Sequence, residues 1–106
     1  MASVTVTLNI AATPPVSLSP KALEIDCSGE TIHWKPATGS TFAFVALVFS
    51  DQNPFYGVVV GDSEITARDS NQAKKEYNYR VLVQYNGKFY SSDGGVMTGG
   101  PTIRNN

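Results

Sequence analysis

One stretch, from Tyr77 to Tyr90, constrains the fold of this 106-residue chain more than any other. Its first nine residues alternate between two sets, which a β-strand would place on opposite faces. One set is Tyr77, Tyr79, Val81, Val83 and Tyr85, and the other is Asn78, Arg80, Leu82 and Gln84. Asn86-Gly87 then provides the two positive-φ residues that a type I′ turn requires. The sequence therefore predicts a β-hairpin whose tyrosine and valine face lies in a core.

The remainder of the chain also reads as short strands between turn residues. The predicted strands lie at 4–10, 23–27, 30–36, 42–49, 55–60, 63–68 and 101–104, with a short edge piece at 16–18. Asp69 to Glu76 is the one polar, weakly helical connection, and the four glycines between Ser91 and Gly100 predict a bend towards the last strand. Seven to nine short strands without a useful helix predict an all-β fold, a single antiparallel β-sandwich over residues 1–106.

Composition limits the classes of function. A hydrophobic fraction of 42% and a charged fraction of 16% are ordinary for a soluble domain. A net charge of −1 with scattered basic residues argues against nucleic acid as a partner. We expect no membrane association, because no apolar segment approaches the length of a span. The single cysteine and the alternating N-terminal segment, which lacks the pattern of a signal peptide, favour a cytoplasmic location.

Two stretches resemble immunoglobulin-like sandwiches of the fibronectin type III kind. Thr31-Ile32-His33-Trp34-Lys35-Pro36 is similar to their early strand, which carries a core tryptophan and ends at a proline. Tyr77-Asn78-Tyr79-Arg80-Val81-Leu82-Val83 is similar to their penultimate strand, whose leading tyrosine often forms a tyrosine corner. The resemblance implies an immunoglobulin-like β-sandwich in which Tyr77 or Tyr79 fixes the corner.

The C-terminal third resembles the bacterial DP-EP family, small sandwich proteins without an assigned activity. The resemblance lies in Tyr85-Asn86-Gly87-Lys88-Phe89-Tyr90, in Ser92-Asp93 and in the segment from Gly99 to Asn105. The chain departs from the pattern that names the family, because Asp93 precedes a glycine and no Glu-Pro dipeptide occurs. The resemblance implies a bacterial protein and supplies no catalytic residue.

The residues that usually carry chemistry do not form a recognisable motif. His33 is the only histidine, and strand alternation predicts that it faces solvent beside a buried Trp34. Cys27 shares its parity with Leu23 and Ile25, so we expect a small buried hydrophobe and not a nucleophile. Oxygen ligands for calcium are conceivable at Asp51-Gln52-Asn53 or at Asp62, Glu64 and Asp69, but turn formation explains these residues better. We expect no catalytic residue, no metal and no cofactor.

Two features remain as candidate binding surfaces. The run from Phe42 to Phe49 is apolar throughout, whereas a strand with one solvated face should alternate. Either another part of the chain covers its second face, which we favour, or a second subunit does. The tyrosines are the other feature, because exposed rings can stack on sugars. Most tyrosines share the core-facing parity, which leaves Tyr56 and Tyr90 as the better candidates for exposure.

The sequence thus favours a non-enzymatic binding or assembly module that acts through protein–protein contacts of an apolar sheet face. The partner would be a second copy of the chain or another protein. A carbohydrate-binding module with exposed aromatic side chains is the alternative, and an enzyme is the class least expected. The candidate interaction surface is formed by five residues: Phe42, Phe44, Val48, Tyr56 and Tyr90.

Overall fold

The computed structural model describes residues 2–51, 54–71, 74–93 and 100–106. In these ranges the chain is all-β, with 61% of the described residues in strands and no helix. Ten strands follow one another: β1 Ala2–Leu8, β2 Val16–Ser19, β3 Ala22–Ile25, β4 Glu30–Pro36, β5 Ala43–Phe49, β6 Phe55–Val60, β7 Ile65–Asp69, β8 Glu76–Tyr85, β9 Lys88–Ser91 and β10 Thr102–Asn105. The prediction of an all-β chain is confirmed, and the strand number exceeds the predicted seven to nine.

The strands form two mixed sheets. The first has the order β2-β1-β4-β7-β6, and the second has the order β3-β10-β8-β5 with β9 also pairing with β8. Two pairs are parallel, β1 with β4 and β3 with β10, while the others are antiparallel. The prediction of purely antiparallel sheets was therefore wrong. Side-chain alternation shows which face of a strand is buried, but it carries no information on the direction of the neighbouring strand.

One hydrophobic core is filled from both sheets. Trp34 of β4 and Tyr79 of β8 are fully buried, and their rings meet edge to face with centroids 5.6 Å apart. The Trp34 Nε1–H group donates a hydrogen bond of 3.1 Å to the Tyr79 hydroxyl. The expected core tryptophan is thus confirmed. The Tyr79 hydroxyl contacts a side chain of the opposite sheet, whereas in a tyrosine corner the hydroxyl forms a hydrogen bond with backbone nearby in the chain.

The predicted hairpin is present. Asn86 and Gly87 have φ values of 52° and 74°, and Tyr85 pairs with Lys88 across the turn. The face of β8 that alternation assigns to the core is buried at Tyr77, Tyr79, Val81 and Val83, with Tyr85 half-buried. Here the local pattern and the tertiary structure agree.

Two residues lie outside the core because their strands end early. β1 stops at Leu8, and the Asn9 side-chain oxygen accepts a hydrogen bond from the Ala11 N–H at 3.1 Å, which starts a turn. Ile10 is consequently exposed and not part of a half-buried strand. β3 stops at Ile25, so the alternation no longer applies at Cys27, which is exposed. The prediction of a buried Cys27 was wrong for this reason.

Stacked aromatic rings fix β5 and β6 at one end. Phe49 at the end of β5 stacks on Phe55 at the start of β6 with centroids 4.0 Å apart, and Phe55 meets Tyr77 edge to face at 5.2 Å. At the other end, the Phe44 N–H donates to the Asp62 carbonyl at 2.9 Å. Strands β5 and β6 are the last strands of the two sheets, and these contacts hold the two sheet edges side by side.

Candidate functional site

Exposed apolar side chains concentrate on β5 and β6. Eight large hydrophobic residues are exposed in the described ranges, and six of them lie on these two strands. Isolated exposed hydrophobics are normal on a protein surface, whereas a cluster marks an interaction site. We refer to the cluster as the edge surface, which consists of Val45 (40% exposed), Val48 (37%), Tyr56 (45%), Val58 (42%), Val59 (62%) and Val60 (39%).

A bulge explains the exposure on β5. The register with β8 shifts between Phe44 and Ala46, so Val45 is an extra residue and the alternation changes phase. Phe44, Leu47 and Phe49 point into the core, while Val45 and Val48 are exposed. Among the described residues the chain does not cover this second face fully, so the prediction of intrachain cover was wrong for Val45 and Val48.

A second bulge shapes β6. Its register with β7 shifts between Tyr56 and Val59, and Gly57 has a φ of 61°, a backbone conformation that glycine adopts without strain. After Phe55 every residue of β6 is exposed. Among the described residues β6 pairs with β7 on one side only, so the backbone N–H and C=O groups on its other side take part in no strand pairing there.

Two other edge strands, β2 and β3, differ in their outward residues. The exposed positions of β2 are Ser17 and Ser19, and those of β3 are Ala22 and Glu24. Proteins commonly protect sheet edges with polar or charged side chains of this kind. Strands β5 and β6 contain no charged residue at all. The two uncharged edge strands are also the two that the Phe49–Phe55 stack and the Phe44–Asp62 hydrogen bond hold side by side.

The structure separates the five residues predicted as an interaction surface. Phe42 and Phe44 lie in the core, at 8% and 4% exposure, and their side chains contact each other edge to face. They cannot meet a partner without leaving the core. Val48 and Tyr56 are exposed and belong to the edge surface, whereas Tyr90 is half-buried and packs against the core.

Sequence reasoning missed four members of the edge surface: Val45, Val58, Val59 and Val60. A signal was present, because the run from Phe55 to Val60 contains neither a charge nor a polar side chain apart from the Tyr56 hydroxyl. Such a run reads equally well as a strand buried on both faces. Only the sheet order, which places this strand at an edge, shows that its valines are exposed.

The exposed aromatic rings do not form one platform. Tyr56 lies on the first sheet, and the Arg68 guanidinium carbon is 5.6 Å from its ring centroid. Phe89, which is 62% exposed, lies on β9 of the second sheet. Arg68 thus lies over one face of the Tyr56 ring.

His33 takes part in an ion cluster on the outer face of the first sheet. Its Nδ1 atom lies 3.0 Å from Glu64 Oε2, and the Lys35 ammonium group lies 3.7 Å from the same oxygen. The hydrogen bond from His33 is the main cause that lowers the pKa of Glu64 below its usual value of 4.5. His33 thus lies on the outer side of β4, as predicted, and its partner Glu64 belongs to the loop that precedes β7.

The acidic residues considered for calcium do not gather at one point. Glu64 belongs to the His33 cluster, Asp69 is buried, and the backbone carbonyl of the exposed Asp62 accepts from Phe44. In the ranges that the structure describes, no three His, Cys, Asp or Glu side chains converge. Of the other candidate set, Asp51 pairs with Lys75 at 3.5 Å, while residues 52 and 53 lie outside the described residues.

Comparisons with known proteins give no identification. No protein-family profile matches the chain, and the curated protein sequences contain no match to it. The described part of the chain has no helix that is long and apolar enough to cross a membrane. The interpretation of function therefore starts from the edge surface and its chemistry.

Proposed function

We propose that this chain is a non-enzymatic binding or assembly module, and that the edge surface is where it contacts a protein partner. The observation behind the proposal is the gathering of six of the eight exposed large hydrophobic residues on two adjoining, uncharged edge strands. Burial of such side chains gives about 25 cal/mol per Å² of apolar area. An open strand edge adds main-chain hydrogen bonds when an extended strand pairs with it.

A second copy of the chain is the partner that fits this surface best. Two β6 strands that pair antiparallel about Val59 would place Tyr56 of each copy opposite Asp62 of the other. The Arg68 guanidinium lies over Tyr56, so this register brings a positive group towards a negative one at both ends of the pair. A two-fold interface of this kind uses the same surface on both subunits.

Sedimentation velocity at tens of micromolar tests the proposal. We expect a dimer for the natural chain and a monomer for Val59→Lys, because a charge at the centre of the interface would lose its water on association. Ile10→Lys is the matched control, since Ile10 is 60% exposed and lies outside the edge surface. A natural chain that stays monomeric, or an Ile10→Lys variant that dissociates as readily as Val59→Lys, would contradict the proposal.

We infer, in addition, an immunoglobulin-like architecture. The antiparallel neighbours β4-β7-β6 and β5-β8-β9 match the arrangement of the central strands in the two sheets of such domains. The parallel pairs of β1 and β3 with other strands depart from it. The similarity to the DP-EP family and a bacterial cytoplasmic origin remain proposals, supported by the hairpin residues 85–90 and by a single, exposed cysteine.

A further inference from the structure

Four buried or half-buried residues that carry side-chain oxygen atoms lie at or next to the ends of β7 and β10, one strand from each sheet. Asp69 ends β7 of the first sheet, and Asn105 ends β10 of the second. Asn105 Nδ2 donates to Asp69 Oδ1 at 3.0 Å, and the Asn71 N–H donates to the same oxygen at 2.8 Å. Asp69 is 0% exposed, Asn105 2% and Asn71 4%. Ser70, which lies between Asp69 and Asn71 in the chain, is half-buried, and we name these four residues the oxygen cluster.

The oxygen cluster contains every buried side-chain polar atom that lacks a hydrogen-bond partner in the described ranges. These atoms are Asp69 Oδ2, Ser70 Oγ, Asn71 Oδ1 and Asn105 Oδ1. The orientation of both amides is set by their nitrogen atoms, because Asn71 Nδ2 donates to the Asn106 carbonyl at 3.2 Å and Asn105 Nδ2 donates to Asp69. The two amide oxygens therefore point away from those bonds and accept none from the protein.

Such a group of oxygens is costly without a partner. A buried polar atom that lacks a hydrogen bond is unfavourable, and a buried carboxylate without a counter-charge is more so. The charge of Lys74 lowers the pKa of Asp69 from a distance, but the hydrogen bond that Lys74 Nζ donates goes to the Asn106 carbonyl, at 3.0 Å. A water molecule has only two hydrogens to donate, whereas a cation also balances the charge of Asp69.

We propose that Asp69, Asn71 and Asn105, together with Ser70, bind a single hard cation of the calcium class. Carboxylate, amide and hydroxyl oxygens are the donors that calcium prefers, and it accepts neutral oxygens beside few carboxylates. One carboxylate is a low ligand charge, which corresponds to dissociation constants of about 10⁻⁴ to 10⁻³ M. The bound cation would connect the ends of β7 and β10 and thus join the two sheets.

Thermal unfolding of the full chain, stripped with a chelator, tests this site. In calcium chloride at about ten times the dissociation constant, the unfolding temperature should rise by roughly 5–10 °C. Sodium chloride of equal ionic strength should leave it unchanged. Asp69→Asn keeps the shape of the side chain but removes its charge, and it should abolish the rise. Asp62→Asn is the control, because it removes an exposed carboxylate outside the cluster and should keep the rise.

A second variant covers the case in which Asp69→Asn does not fold. Asn105→Asp adds a carboxylate at the site, so it should lower stability in chelator and increase calcium affinity at least about tenfold, since affinity follows the ligand charge. A natural chain with no calcium-dependent shift would overturn the proposal, and the cluster would then hold water or a proton on Asp69. The same conclusion follows if calcium fails to restore Asn105→Asp, or if Asp69→Asn keeps the full shift.

Discussion

Replacement of Tyr79 by phenylalanine removes one oxygen atom from the centre of the core and keeps its ring. The ring contacts with Trp34 and Phe49, at centroid distances of 5.6 and 6.2 Å, depend on the ring alone. The loss falls on the Trp34 Nε1–H group, which is fully buried and donates to the Tyr79 hydroxyl at 3.1 Å. In Tyr79→Phe this donor has no acceptor and no access to water.

The free energy of unfolding should therefore fall by about 1–3 kcal/mol, the cost of a buried donor left without a partner. For a domain of this size, each kcal/mol corresponds to roughly 4–8 °C in unfolding temperature. Urea unfolding followed by circular dichroism measures the change. Tyr56→Phe is the matched control, since it makes the same atomic change at an exposed ring and should alter stability by less than about 0.5 kcal/mol.

A double-mutant cycle separates the hydrogen bond from other effects. Trp34→Phe removes the donor and leaves the Tyr79 hydroxyl without it, while the double variant removes both partners. We expect the two single losses to sum to more than the loss of the double variant, because the penalty of an unpaired group disappears when both are absent. A Tyr79→Phe variant as stable as the natural chain, or a coupling energy near zero, would refute the assigned role of this hydrogen bond.

Three further outcomes follow from the structure. Burial raises the pKa of the Asp69 carboxyl above 3.8 in the folded chain. In metal-free buffer the stability that protonated Asp69 contributes is therefore present below pH 3.8 and is lost as the pH rises through the pKa of the folded state. Urea midpoints measured from about pH 3 to 7 should depend less on pH in Asp69→Asn than in the natural chain. The hydrogen bond from His33 lowers the pKa of Glu64. The stability that this interaction contributes is therefore present above pH 4.5 and is lost as the pH falls through the pKa of the folded state. In His33→Gln, an NMR titration should show the pKa of Glu64 moving back towards 4.5. Gly87 has a φ of 74°, so Gly87→Ala should lower the free energy of unfolding by about 1 kcal/mol in a urea titration, and an unchanged midpoint would contradict the assigned turn.

The sequence predicts the fold best where a local pattern determines the structure. In β8, polar and apolar residues alternate, and Asn86-Gly87 specifies the turn, so the buried face and the hairpin are both correct. The all-β class follows from the same signals repeated along the chain. Strand directions are not local properties, and the parallel pairing of β1 with β4 joins segments separated by two intervening strands.

The candidate surface was predictable only in part. In the run from Phe42 to Phe49 every side chain is apolar, so the pattern cannot distinguish inward from outward residues, and the bulge at Val45 shifts the phase that simple alternation would give. The valines of β6 become a surface only because the strand lies at a sheet edge. The oxygen cluster is beyond sequence reasoning altogether, since Asp69 and Asn105 are far apart in the chain and each resembles an ordinary turn residue.

The association state of the natural chain compared with Val59→Lys tests the role of the edge surface most directly. Sedimentation velocity should show a dimer for the natural chain and for Ile10→Lys, and a monomer for Val59→Lys, and all three should stay folded because both substituted residues are exposed. That pattern would assign the contact to β6 and its neighbouring valines. A natural chain that sediments as a monomer over the whole micromolar range would contradict the proposed assembly.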